Sequence, residues 1–211
     1  MINGSIAVLT RPSVATFEEH EQNNLGWATI YVAIGAVLAG IFGAIAFAVQ
    51  RPFIEQELGQ FEEEFGMQLD VAAAQPTITG AIFSNLFGTL LGFFIFLGIV
   101  YLLGRAFGGT GNFGELAFDI SLFWTPLLVL RALLGILAFG PILSAILGFV
   151  SLAIGIYNIY LTYLGIQSGM NLPGNKALYV ILILVGIVIL LGICVAVIFG
   201  AAIAALMSQM Q

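Results

Sequence analysis

The stretch ALYVILILVGIVILLGICVAVIFGAAIAALM, residues 177–207, carries no charged side chain. A bilayer's hydrocarbon core of about 30 Å is crossed by about 20 residues of helix rising about 1.5 Å each. This run is long enough to span lipid with turns to spare. Working back along the chain, four further stretches have the same character: about 25–49, 78–104, 115–139 and 141–167. Membrane-crossing strands would alternate polar and apolar residues, and these segments do not. In lipid the backbone must satisfy its own hydrogen bonds, so each is expected to be a helix. The expected fold is an all-α, polytopic membrane helical bundle with five transmembrane helices. Residues 1–24 form a cytoplasmic N-terminal segment, 25–207 the membrane domain and 51–77 an acidic outer loop.

Composition agrees and excludes other classes. Hydrophobic residues make up 61% of the chain and charged residues 8%, which leaves no polar segment long enough for a soluble domain. A net charge of −6 and a pI near 4.5 argue against nucleic acid as a partner, since that needs a basic face. No lysine or arginine run suggests a polybasic lipid-binding segment. The single cysteine, Cys194, lies deep in the last span, where burial in hydrocarbon makes a poor nucleophile. The short apolar run Ile6–Leu9 lacks the length and the preceding basic cluster of a cleaved signal peptide.

Loop charges set an orientation. Arg11, Arg105 and Lys176 fall on one side of a five-span arrangement. The other side receives Arg51 beside Glu55, Glu57, Glu62, Glu63, Glu64 and Asp70. Basic residues near span ends favour the cytoplasm, which puts the N-terminus inside and the C-terminus outside. The third and fourth stretches are divided only by Phe139-Gly140-Pro141. Pro ends a helix and Gly permits a tight turn, so a hairpin is expected there.

In the outer loop Ile54, Leu58, Phe61, Phe65 and Leu69 recur at steps of three and four. That spacing predicts an amphipathic acidic helix in the first extramembrane loop, either resting on the bundle or serving as a lid or docking surface. The segment RAFGGTGNFG, residues 105–114, is glycine-rich but has no lysine and follows a membrane helix. A phosphate loop requires a Lys-Ser/Thr pair between strand and helix. Helix termination and restart fit better, with Asn112 as a cap and Glu115 as its partner in a capping box. His20 is the only histidine, and a metal site needs several converging ligands. No metal, cofactor or catalytic residue is expected.

Polar groups within spans are costly and draw attention. Asp119 and Arg131 lie twelve positions apart, about 18 Å along a helix, so they do not pair with each other. Asp119 is within reach of Arg105. Arg131 is expected to snorkel outward or to meet a carboxylate of the acidic loop. Pro126 is expected to kink the third span, with Thr125 helping to satisfy the backbone. Asn158 should face a neighbouring helix. Small residues mark candidate packing seams: Gly88 and Gly92 in the second span, and Gly192, Ala196, Gly200 and Ala204 in the last. Such spacing lets two helices approach closely, within one chain or between chains.

Three segments together carry a family resemblance. They are RPSVATFEEH at 11–20, GRAFGGTGNFGELAFDISLFWTPLLVL at 104–130 and YNIYLTYLGIQSGMNLPGNKALYVILIL at 157–184. The chain resembles the Yip-domain family, membrane proteins named for interaction with Ypt/Rab GTPases. The resemblance implies five spans, a cytoplasmic N-terminus and, in eukaryotes, a role in early secretory traffic. The long cytoplasmic N-terminal region of many eukaryotic members has no counterpart here, which weighs against Rab binding. The compact form looks like that of a prokaryotic member in the cytoplasmic membrane. The expected function is non-enzymatic: lateral helix association as a scaffold or membrane-organising factor, with the lipid bilayer, copies of itself or other membrane proteins as partners. The alternative is a small transporter or channel using Asp119, Arg131 and Asn158.

Overall fold

In the computed structural model the chain is described over residues 1–65 and 77–209, and every regular element among them is a helix. Two short helices, α1 (Ile2–Thr10) and α2 (Val14–His20), precede five long ones: α3 (Leu25–Phe65), α4 (Ile78–Ala106), α5 (Phe113–Ile136), α6 (Pro141–Gly169) and α7 (Gly174–Gln209). All five long helices are long and apolar enough to cross a membrane.

The helix ends follow local chemistry. Asn24 starts α3, its Oδ1 accepting the Trp27 N–H at 3.0 Å. Thr77 starts α4 by accepting the Gly80 N–H at 3.0 Å. At α5 the Asn112 backbone N–H donates to Glu115 Oε2 at 2.9 Å, and its side-chain amide donates to Oε1 at 3.0 Å. The predicted hairpin is present: α5 ends before Leu137, Gly140 takes φ 74°, and Pro141 opens α6. That left-handed turn is open to glycine, and the fixed φ of proline suits the first helical position.

Helix α5 is the centre of the bundle. It packs against α3, α4, α6 and α1, and eleven of its residues are buried. The apolar core gathers around its first half, where Leu116, Ile120 and Phe123 meet Phe93 and Leu97 of α4 and Leu161 and Ile166 of α6. Helix α7 joins this core only through its first turns, at Ala177, Val180, Ile181 and Leu184. Helices α3 and α4 cross at Gly40, where a Cβ would lie 2.9 Å from the Ile82 Cα. That close approach is what a small residue at a crossing permits.

Two features were not anticipated. The N-terminal segment forms two helices that pack into the bundle. Val8 and Phe17 are fully buried in the core, Phe17 meets Phe123 edge-on at 6.0 Å, and the Tyr157 hydroxyl donates to the Leu9 carbonyl at 2.7 Å. The acidic segment also begins as a continuation of α3 through Pro52, up to Phe65, and not as a separate helix. Proline removes one backbone hydrogen bond and crowds the preceding turn. The cost is offset on the far side, where Phe53 stacks on Phe139 at 6.5 Å and Gln50 donates to the Gly135 carbonyl at 2.7 Å. Of the expected apolar face, Ile54 and Leu58 are half-buried. Leu69 and the side chains of Phe61 and Phe65 lie outside the described residues.

Candidate functional site

The end of the bundle nearest the N-terminus is knit together by backbone. After α4 the chain turns at Gly108, whose φ of 90° favours glycine. The N–H groups of Thr110 and Gly111 then donate to the Met170 carbonyl, at 3.0 and 3.3 Å. A Cβ on Gly111 would overlap the Gly169 carbonyl oxygen. The glycines of this loop therefore serve backbone-to-backbone contact between the α4–α5 and α6–α7 connections. The same end holds Arg105 and Lys176, and Lys176 Nζ lies 3.4 Å from the position of a Cβ on Gly108.

Beneath this knot lies Asp119. It is fully buried, and neither carboxylate oxygen has a hydrogen-bond partner. It faces the last turns of α6, where a Cβ on Gly169 would lie 3.4 Å from its Oδ2. The buried Ser168 hydroxyl lies beside it as the nearest candidate donor but is not aligned in a formed hydrogen bond. The expected Asp119–Arg105 pair does not form, because Arg105 turns outward and donates to the Gly109 carbonyl at 3.1 Å. Glu18, Glu21 and Glu115 surround Asp119 closely enough to act on it by charge. Burial raises the Glu21 carboxyl above its ordinary value, and Glu115 and Glu18 push it further the same way. His20 Nδ1 is buried nearby without a partner. Among the described residues no group of His, Cys, Asp or Glu is arranged to hold a metal ion.

A second polar region lies deeper. Arg131, Asn158 and Thr162 line one cleft of about 510 Å³ between α4, α5, α6 and α7, together with Trp124, Phe96 and Val185. The Arg131 guanidinium pairs with no carboxylate among the described residues, and the acidic side chains of Glu57, Glu62, Glu63, Glu64 and Asp70 lie outside them. Arg131 Nη2 stands 3.5 Å from the position of a Cβ on Gly155, midway along α6. Long side chains on a helix lean toward its N-terminus, which carries the exposed Arg131 side chain alongside α6. Thr162 donates to the Asn158 carbonyl at 2.8 Å. Of the three intramembrane polar residues, Arg131 and Asn158 share this cleft and Asp119 lies outside it. Thr125 packs against Gly35 beside Pro126, and its hydroxyl is buried without a partner, so it does not serve the proline's backbone.

The small-residue positions fall in the open. A Cβ on Gly88, Gly92, Gly192 or Gly200 would meet nothing within 4 Å among the described residues. On α7 every residue from Val188 to Ala201 is exposed, Ala196 among them. The Ala204 side chain lies outside the described residues. Sequence reasoning missed the cleft because its polar residues lie on different helices. The one available signal was that Arg131 and Asn158 flank a predicted hairpin.

No curated protein and no solved structure matches the chain. The Yip1 domain, as a family, matches residues 6–197, nearly the whole of it. With five membrane-length helices and this match, the chain is a multi-pass membrane protein that belongs to the Yip1-domain family.

Proposed function

We propose that this protein works without catalysis, by associating laterally in the membrane with a second copy of itself through α7, as a scaffold or membrane-organising factor. One observation carries the reading. Among the described residues helix α7 packs on its own chain only near its start, and its later turns present Gly192, Ala196 and Gly200 with no neighbour there. Association in lipid is driven by close packing and not by the hydrophobic effect, so small residues at four-residue spacing suit a helix–helix contact. The orientation proposed is N-terminus in the cytoplasm. It rests on Arg11, Arg105 and Lys176 at the end of the bundle opposite Arg51. A transport path through Asp119, Arg131 and Asn158 has less support, because Asp119 does not line the cleft that the other two share.

The test is Gly200→Leu in mild detergent and in native membranes. The reading predicts a smaller assembly with unchanged thermal stability of the single chain, since Gly200 has no neighbour among the described residues. An unchanged assembly size would remove the support.

A further inference from the structure

Arg131 makes no hydrogen bond or ion pair among the described residues, although it sits within a membrane-spanning helix. The Asn158 side-chain amide N–H groups also lack an acceptor. These two donors line the same cleft, on helices that face each other across the α5–α6 hairpin. Apart from Thr162, whose hydroxyl donates to the Asn158 carbonyl, the rest of the wall is largely apolar, from Phe96 on α4 to Val185 and Val188 on α7. Cleft volume lies within the range of about 300–1,000 Å³ for ligand sites. A cation without an anion in lipid is unfavourable, and a guanidinium offers a planar fork matched to phosphate. An apolar trough with unpaired donors at one point has the polarity of an amphiphile with an anionic head.

The geometry points to a lipid site: the cleft holds one anionic phospholipid of the bilayer, its phosphate on Arg131 and Asn158 and an acyl chain along the wall formed by α4 and α7. Because the guanidinium stands midway along α6, the head is drawn below the plane of the bulk headgroups. Helix α7 leaves the bundle after its first turns, so the cleft opens laterally and a lipid enters from the membrane. This inference is independent of self-association through the later turns of α7.

Trp124 lines the cleft and reports on it. The chain has two tryptophans, and the other, Trp27, is exposed on α3 away from the cleft, so Trp27→Phe leaves one probe. The protein is reconstituted in phosphatidylcholine vesicles in which a minor share of lipid is either dibrominated phosphatidylglycerol or dibrominated phosphatidylcholine. Brominated phosphatidylglycerol should quench Trp124 with a relative association constant about tenfold higher, as one charge-assisted contact implies. Arg131→Gln should bring it down to the phosphatidylcholine level, and Asn158→Ala should lower it part of the way. Arg131→Gln removes an unpaired charge from a span, so insertion is not put at risk. Equal quenching by the two lipids, or a preference that survives Arg131→Gln, overturns the proposal. Inorganic phosphate added to the buffer should change nothing. Relief of quenching by phosphate would assign the cleft to a soluble anion and overturn the lipid site.

Discussion

Gly111→Ala tests whether the two connections at the N-terminal end form a structural lock. The added Cβ would overlap the Gly169 carbonyl oxygen and lie 2.7 Å from the Met170 Cα. Both obstacles are backbone, so no side chain can swing aside. Overpacking of this kind costs about 1–3 kcal/mol. Relieving it separates the loops and breaks the two N–H bonds to the Met170 carbonyl, at about 1 kcal/mol each. The sum, about 3–5 kcal/mol, is a large part of the roughly 5–15 kcal/mol that holds a domain folded. At about 2–4 °C per kcal/mol for a chain of this size, the melting temperature should fall by on the order of 10 °C. Thermal unfolding in detergent, followed by loss of the monodisperse elution peak, measures it. Gly92→Ala is the control, because a Cβ there meets nothing within 4 Å. A Gly111→Ala variant that melts within about 2 °C of the parent would refute the lock.

Two further outcomes follow from Asp119 and the half-buried Glu21. Asp119→Asn keeps the shape while removing an unpartnered carboxylate, so stability should hold or rise by on the order of 1 kcal/mol; a loss of about 2 kcal/mol or more would mean that the carboxylate has a partner. Glu21 is raised in the folded protein, so the folded state binds its proton more tightly than the unfolded state. Stability is then fullest below the ordinary value of 4.5 and declines as pH rises through the raised value. Melting curves from neutral to mildly acidic pH should show that gain on acidification, and Glu21→Gln should flatten it; an identical slope in the variant would place the titration elsewhere.

The spans were legible because lipid dictates both their length and their composition, and the α5–α6 turn because Gly140 and Pro141 have specific backbone roles. The capping pair Asn112–Glu115 was legible for the same local reason. Short α1 and α2 were not. Residues 2–20 carry no strong apolar period, and these helices are held by contacts remote in sequence, such as Phe17 on Phe123 and Leu9 on Tyr157. The direction of a polar side chain in a span was equally hidden. Distance along a helix placed Arg105 within reach of Asp119, but the rotation of α5 aims Asp119 at Ser168 and Gly169. The glycines at 108–111 were readable as a helix break. Their second role, letting two loops share backbone hydrogen bonds, depends on Met170, which lies a full hairpin away.

The most direct measurement of self-association through α7 is cysteine cross-linking in native membranes. Cys194, the only cysteine, is exposed on α7, and two positions along a helix turn the side chain by about 200°. Cys194 therefore points away from the face that carries Gly192, Ala196 and Gly200. Ala196→Cys in a Cys194→Ser background should give a cross-linked dimer with a short bifunctional thiol reagent, and the parent chain, with Cys194 alone, should give little. Equal cross-linking at both positions would mean random collision, and cross-linking through Cys194 alone would place the contact on the opposite face; either result would contradict association through the small-residue face of α7.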